Sequence, residues 1–300
     1  MEPSGVLIVN KSEGMTSHDV VNRIRRFYGT KKVGHTGTLD PLATGVLVIL
    51  IGRAAKAAEY LVADTKEYIA TLRLGITTDT EDVTGNILSS SDSLPTSEQT
   101  CEAVKKFVGD IMQIPPMYSA LKVDGKKLCD LARAGVEIER QARPITVYSI
   151  DAELTDNNTD YILRVCCSSG TYIRTLCADI GASLGCGGAM ATLCRSRAGD
   201  FKLDQSHTLE EIEALDIDSR IALLKPLDSL FASIPEVRLA QFFEKLSRSG
   251  CQIYQKKIKT SFPIGEKIRL CTADGVFYAL GEVREYEDGS AIKPIKQFEI

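Results

Sequence analysis

The stretch Gly34-His35-Thr36-Gly37-Thr38-Leu39-Asp40-Pro41-Leu42-Ala43-Thr44-Gly45 carries the densest chemical content of the chain. Its glycines admit unusual backbone angles and the close approach of a ligand. Pro41 restricts the backbone of Asp40 and so fixes where one carboxylate sits. A carboxylate on a loop braced by an apolar strand can serve as nucleophile or base. An Asp-Pro pair also simply opens turns, and this stretch alone leaves both readings open. Other reactive types are sparse. His18, His35 and His207 are far apart, which argues against a histidine metal centre. Nine cysteines with no CxxC pair argue against a zinc site or a disulfide framework, and read as reduced thiols.

Such a loop needs rigid neighbours, and the pattern supplies them. Gly5–Asn10 reads as a strand. Thr16 and Asp19 form a capping-box-like pair, Val20, Val21, Ile24 and Phe27 recur at helical spacing, and Gly29 ends that helix. Val33–Thr44 reads as loop and Gly45–Gly52 as a buried strand. Arg53–Leu61 is Ala-rich and helical, and Tyr68–Leu74 alternates like a half-buried strand. Ser89–Thr96 reads as an exposed connection. Thr96 and Gln99 open a helix running to Val108, and Ile111–Ala120, with Pro115-Pro116, reads as irregular. Asp124-Gly125 marks a hairpin. Ile145–Leu154 and Tyr161–Cys167 are strands about the Asp156–Thr159 turn, and Ile173–Leu184 is a helix ended by Gly185. Strands and helices mix without a βαβ rhythm, so the expected class is α+β with a mixed sheet. After the acidic stretch Asp200–Asp228 comes a helix (Gln241–Leu246) and then strands Lys267–Cys271, Val276–Leu280 and Ala291–Ile295. A domain boundary is therefore expected near residue 232, giving a catalytic domain over 1–232 and a small β domain over 233–300.

Bulk properties set limits. The 300 residues are 44% hydrophobic and 25% charged, with a net charge of −4. No signal core or membrane-length apolar run stands out, so the expected compartment is the cytoplasm. The acidic total excludes a nonspecific nucleic-acid binder, but a specific one needs only a local basic face. Arg23, Arg25, Arg26, Lys31 and Lys32 around Phe27 and Tyr28 could form such a face, or simply a solvated helix flank. Much of the negative charge, in Asp200–Asp228, is expected to lie away from any RNA.

Six segments, in order, resemble one family. Gly34–Gly45 is similar to the catalytic motif of the TruB family of tRNA pseudouridine-55 synthases. Gly5–Ser17 (GVLIVNKSEGMTS) resembles the family's opening strand and its Lys-Pro-x-Gly loop. Tyr68–Thr80, with Arg73-Leu74-Gly75, resembles the next motif, followed by Ile114–Lys127 (IPPMYSALKVDGKK), Arg143–Tyr148 (RPITVY) and Gly170–Thr175 (GTYIRT). The resemblance covers most of residues 5–200, and several motifs in order are far more specific than one. Ser12 stands where the family has proline, and Ser169 where a lysine often precedes the last motif.

The resemblance implies roles. Asp40 would be the essential aspartate, Arg174 the arginine that pairs with it, and Tyr68 the residue that stacks on the extruded base and helps remove the C5 proton. His35 would fill the space left when the uridine leaves the stack. Lys11, Leu193 and Tyr172 would line the substrate pocket. The C-terminal segment resembles a PUA domain, a small β-barrel that contacts RNA, with Lys256, Lys257 and Lys259 near phosphate. The implied activity is isomerisation of uridine at position 55 in the T loop of tRNA, with no cofactor or metal, no obligatory protein partner, no membrane contact and a monomeric chain. An RNA-folding role can accompany it. Three rivals stand beside this reading. One is a guide-dependent catalytic subunit, disfavoured by the first motif's starting at Gly5. Another is an RNA-folding module without chemistry, disfavoured by the presence of Asp40, Tyr68 and Arg174. The third is a glycosidase, for which no paired carboxylate motif exists.

Overall fold

The computed structural model describes residues 3–60, 65–119, 121–123 and 125–298. Strand β1 (Gly5–Lys11) leads through the capped helix α1 (Ser17–Tyr28) to the short β2 (Val33–His35) and β3 (Thr44–Ile51). The Thr16–Asp19 capping box forms as expected, and Gly29 ends α1 at φ +62°. A 3-10 stretch, Gly52–Tyr60, follows in place of a regular helix, and Leu61 lies outside the described residues. Next come β4 (Lys66–Leu74), the hairpin β5 (Ile76–Thr78) and β6 (Ile87–Ser90), α2 (Ser97–Lys105) and β7 (Gly109–Gln113). The small hairpin β8 (Lys122–Val123) and β9 (Lys126–Lys127) precedes α3 (Leu128–Arg133). The long pair β10 (Arg143–Leu154) and β11 (Asp160–Cys167) then leads to α4 (Ile173–Ser183), β12 (Gly188–Ala198) and β13 (Phe201–Lys202).

These strands make one mixed sheet in the order β1-β3-β12-β4-β11-β10-β7, with β2 on β3 and β13 on β12. All path pairs are antiparallel except β3 with β12, whose parallel contact is confined to Cys194↔Thr44 and Arg195↔Gly45. That short contact joins the β1–β3 half to the rest. Leu7, Leu47, Ile49, Leu72, Leu163 and Leu176 are fully buried in the main core, which also takes α1 and α4.

The strand pairing corrects several expectations. Ile111–Gln113, expected to be irregular, belongs to the edge strand Gly109–Gln113, because β10 supplies its partners from Arg143 to Val147; the helix before it stops at Lys105 rather than Val108. The central strand β12 has no counterpart in the sequence reading. Its alternation is broken by register shifts at Met190/Thr192 and Arg195/Arg197 and by a buried arginine. Val33–His35, read as loop, pairs briefly with β3, and Ser89-Ser90, read as connection, belongs to β6. Asp124 and Ala120 fall outside the described residues.

The acidic stretch holds two short capped helices, α5 (Leu209–Ala214) and α6 (Ile217–Ala222), packed on α1. This alters the reading of the basic run. Phe27 and Tyr28 are core residues, with the Tyr28 hydroxyl donating to the Arg220 carbonyl (2.7 Å) and the Arg220 guanidinium 5.3 Å from the Phe27 ring centre. Arg23 lies 3.6 Å from Glu210. The acidic segment thus sits directly against the basic run rather than apart from it, and neither aromatic is free to stack on a base.

A second, five-stranded sheet runs in the order β14-β16-β17-β18-β15, built from β14 (Glu236–Arg238), β15 (Ile253–Tyr254), β16 (Lys267–Cys271), β17 (Phe277–Arg284) and β18 (Ala291–Gln297). Helices α7 (Gln241–Arg248) and α8 (Gln255–Ile258) accompany it. It has its own core around Leu239, Ile268, Leu270, Tyr278 and Ile292. Phe231, Phe277 and Phe298 stack with ring centres 5.5–5.9 Å apart beside Ala57, and Lys296 reaches Glu59 at 2.7 Å. The fold is α+β, as the sequence pattern implies. No described helix is long and apolar enough to cross a membrane.

Gly45 shows how tight the β3–β12 seam is. Its φ is +98°, and a Cβ there would lie 2.4 Å from the Arg195 carbonyl oxygen. Gly45→Ala combines a disfavoured backbone angle with a backbone collision, so it should destabilise the fold by about 2–4 kcal/mol, read by urea denaturation.

Candidate active site

Asp40 sits between two clamped neighbours. Leu39 is held on both sides of its backbone by Ser17, the first residue of α1. The Ser17 hydroxyl donates to the Leu39 carbonyl (3.0 Å) and accepts from its N–H (2.8 Å). The Pro41 carbonyl accepts from Gly14 N–H (2.8 Å) and from Lys11 Nζ (3.3 Å). The Asp40 carbonyl accepts from Ala43 N–H at 3.1 Å. Helix α1 and strand β1 therefore fix the loop on either side of the carboxylate.

The carboxylate meets Arg174, whose Nε lies 3.0 Å from Asp40 Oδ2. Arg174 is the second residue of α4 and only 5% exposed, whereas the Asp40 side chain is 38% exposed. The other guanidinium nitrogens are also engaged. Nη1 donates to the Thr80 carbonyl (3.1 Å) and lies 3.6 Å from Asp82 Oδ2, and Nη2 donates to the Tyr118 carbonyl (2.7 Å). Asp82 is itself buried and accepts at Oδ1 from Thr80 Oγ1 (2.8 Å) and from Thr84 N–H (3.0 Å) and Oγ1. The start of α4 is set by Gln113 on β7, whose amide both accepts from Tyr172 N–H (2.8 Å) and donates to the Tyr172 carbonyl (3.0 Å).

Asp40, Tyr68, Tyr172, Arg174 and Leu193 all line one cavity of about 290 Å³. Tyr68 is buried on β4, and burial pushes its phenol up, opposed by the nearby Arg195 charge. Burial also raises the Tyr172 phenol. The remaining two sequence candidates stand off this cavity wall. Lys11 is wholly buried, and its ammonium donates to the carbonyls of Ser12 (2.9 Å), Met15 (2.8 Å) and Pro41. It ties the end of β1 to the Asp40 loop instead of lining the pocket. Ser12, where the family has proline, contributes its carbonyl to this tie. His35 lies on β2 with Nδ1 buried and without a hydrogen-bond partner among the described residues. Burial, and next the Arg195 charge, hold its imidazole below the usual histidine range, so it is neutral at pH 7.

The sequence reading missed Ser17, Asp82 and Arg195. Asp82 and Ser17 are polar residues whose burial no local pattern reveals. Arg195 had a signal: it is two residues from Leu193 and so shares its face of a strand, but β12 itself had not been recognised. Among the described residues, no three His, Cys, Asp or Glu side chains gather as a metal would require.

Comparison with known proteins identifies the family. Residues 25–173 match the model for the TruB family pseudouridylate synthase N-terminal domain, and residues 174–232 match the tRNA pseudouridylate synthase B C-terminal domain. A tRNA pseudouridine synthase B of Alkaliphilus oremlandii is 45% identical over 267 residues, 88% of each chain. The chain belongs to the TruB family. A Clostridium kluyveri relative of the same name is 42% identical over 94% of this chain and 96% of its own. Among solved structures, a chain of a Cbf5-Nop10-Gar1 complex superposes with a TM-score of 0.76 at 25% identity, covering 98% of this chain and 85% of that one. A chain of an H/ACA RNP bound to a substrate RNA gives 0.75 at 23% identity, over 99% of this chain and 85% of that one, which bears on the fold alone. In TruB terms, the matched N-terminal domain ends one residue before Arg174.

The buried Lys11 ammonium has a measurable consequence. Desolvation lowers its pKa from 10.5 to about 8, against the raising pull of Asp40. The native state therefore sheds this proton first, and between about pH 8 and 10.5 the unfolded chain binds more protons. The penalty for burying this charge is therefore full below about pH 8 and is relieved as pH rises towards 10.5, so the stability contributed by this group rises across that window and is flat below it. Denaturation at pH 7.5 and 9.5 should show Lys11→Met gaining less than the wild type between the two; equal changes would mean that Lys11 does not titrate there.

Proposed function

We propose that this protein converts uridine to pseudouridine at position 55 in the T loop of tRNA, acting alone as a monomer on an extruded base. The observation that carries the reading is Asp40, anchored at Oδ2 by Arg174 and opening on a cavity sized for one flipped nucleoside. The relatives that match over most of the chain are named for tRNA. The Cbf5 neighbour was solved with Nop10 and Gar1, but its identity to this chain is far lower, so bare tRNA is the favoured substrate.

The chemistry balances without a redox partner or group donor. The N1–C1′ bond breaks, the base turns, C5 bonds to C1′, the C5 proton leaves and N1 gains one. Asp40 acts on the nucleoside in this sequence, either at C6 of the base or at C1′ of the sugar. Both routes use a carboxylate oxygen, and Oδ1 carries no hydrogen bond among the described residues. Tyr68, Tyr172 and Leu193 provide the walls against which the base rests, and the protonated Tyr68 phenol can pass the C5 proton on only by giving up its own as it takes the new one. A neutral His35 is suited to fill the stack that the uridine leaves. A base resting against these walls would cover the 38% exposed Asp40 side chain and strengthen its pairing with Arg174.

Residues 233–298 read as a PUA-like RNA-binding domain beside the catalytic domain of residues 1–232. Lys256 there donates to the Asp288 carbonyl (2.8 Å) and lies 5.5 Å from the Tyr254 ring centre, so Lys257 and Lys259 are the better phosphate partners.

The test is tritium release from a C5-tritiated T-arm stem-loop and from whole tRNA. The wild type should release tritium with no added protein or guide RNA, and Asp40→Asn should release none. Absence of release by the wild type on both RNAs would refute the stand-alone reading. Arg174→Lys keeps a charge but loses the planar fork that spans Asp40, Thr80 and Tyr118. It should lower the single-turnover rate by about 10²–10³-fold, with stem-loop affinity retained.

A further inference from the structure

Arg195 on β12 is among the bulkiest wholly buried side chains, at 2% exposure, and it lines the cavity. Its guanidinium donates to three backbone carbonyls: Nε to Val46 (2.7 Å), Nη1 to Thr38 (3.3 Å) and Nη2 to Gly37 (3.1 Å). Among the described residues no carboxylate stands within ion-pair distance of it, unlike Arg174. A buried cation without a counter-ion is expensive to maintain, and a plain core position would be better filled by an aliphatic side chain. The placement suggests what it is kept for. Arg195 lies directly opposite Tyr68 in the β12–β4 ladder and opposite Gly45 in the short parallel pairing of β12 with β3. One guanidinium thus touches the loop that carries Asp40, the strand that follows it, and the neighbourhood of the Tyr68 hydroxyl.

We propose that Arg195 is a positioning residue for the reaction, holding the Gly37 and Thr38 carbonyls that aim the Asp40 loop while its charge lies beside the Tyr68 hydroxyl, so that carboxylate and phenol are set relative to each other across the cavity. This rests on the pseudouridine synthase reading above. The charge of Arg195 opposes the effect of burial on Tyr68, although burial is the larger of the two and the phenol stays above its ordinary value. The role requires the planar fork. A lysine ammonium is a point charge and cannot span carbonyls on both sides of the loop. Small displacements suffice to slow chemistry, since an error of about 1 Å in placement costs on the order of 100-fold.

The experiment uses the full chain with Arg195→Lys, Tyr68→Phe and the double variant. Single-turnover tritium release from the stem-loop is read beside stem-loop Kd and thermal unfolding. Arg195→Lys should fold and bind RNA within about threefold of wild type, yet react about 30- to 100-fold more slowly. If Arg195 acts through Tyr68, the double variant should be no slower than the slower single, within about threefold. Three results overturn the proposal: a rate for Arg195→Lys close to wild type, losses that multiply in the double variant, or a joint loss of fold and RNA affinity that makes Arg195 a structural tie only. An inactive wild type would instead refute the functional reading, so the two failures are distinguishable.

Discussion

One buried guanidinium gathers the loops on one side of the cavity. Arg174 binds Asp40 from the β2–β3 loop, Thr80 and Asp82 from the β5–β6 turn, and the Tyr118 carbonyl from the proline-bearing segment. Four positions from three separate stretches of chain converge on one side chain that has no other escape to water. Arg174 and Asp82 are buried whereas Asp40 is 38% exposed, so loss of the Asp82 or Thr80 partner leaves the guanidinium desolvated and unmatched. A carboxylate held this way needs little reorganisation when charge develops beside it.

The loop that carries Asp40 is fixed by complementary means. Leu39 and Pro41 are clamped by a serine at the start of α1 and by a lysine and a glycine around the end of β1, so the aspartate between them has little backbone freedom. The parallel contact of β3 with β12 brings Gly45 against the Arg195 backbone, close enough that no side chain fits between them. Sheet seam, loop and ion pair are thus one mechanical unit. The glycine is required by the close approach and by its positive φ.

The legibility of this unit from sequence was uneven for physical reasons. Elements with local periodicity were readable: β1, α1 with its capping box, β3, β4, β10, β11 and α4 all lie where hydrophobic spacing and cap residues place them. Strand β12 was not, because a buried arginine and two register shifts break the alternation that marks a strand. The edge strand β7 was obscured by its exposed Met112 and the prolines after it. At the site, motif order led to Asp40, Arg174 and Tyr68, since the chemistry selects unusual residue types in unusual places. Ser17, Asp82 and Arg195 escaped notice because their function is to be buried partners, and burial of a polar residue is a tertiary fact. Lys11 was noticed for its type, but only the folded chain shows its ammonium turned towards three carbonyls.

The charge distribution resolves an apparent contradiction in composition. A chain of net charge −4 is a poor candidate for RNA when judged by its total, yet Lys11, Arg174 and Arg195 are gathered around a single aspartate. Arg174 and Arg195 both line the pocket beside Asp40 and put two buried guanidiniums where a nucleotide would enter. Meanwhile α5 and α6 pack on α1, and Glu210 of α5 lies 3.6 Å from Arg23 on its basic flank. That flank is partly neutralised by its own chain, which weakens nonspecific attraction to any polyanion. Affinity then depends on reaching the cavity rather than on coating a basic surface. A protein built this way discriminates by shape and by base extrusion, and gives up the strong salt-dependent adhesion that a uniformly basic face would bring.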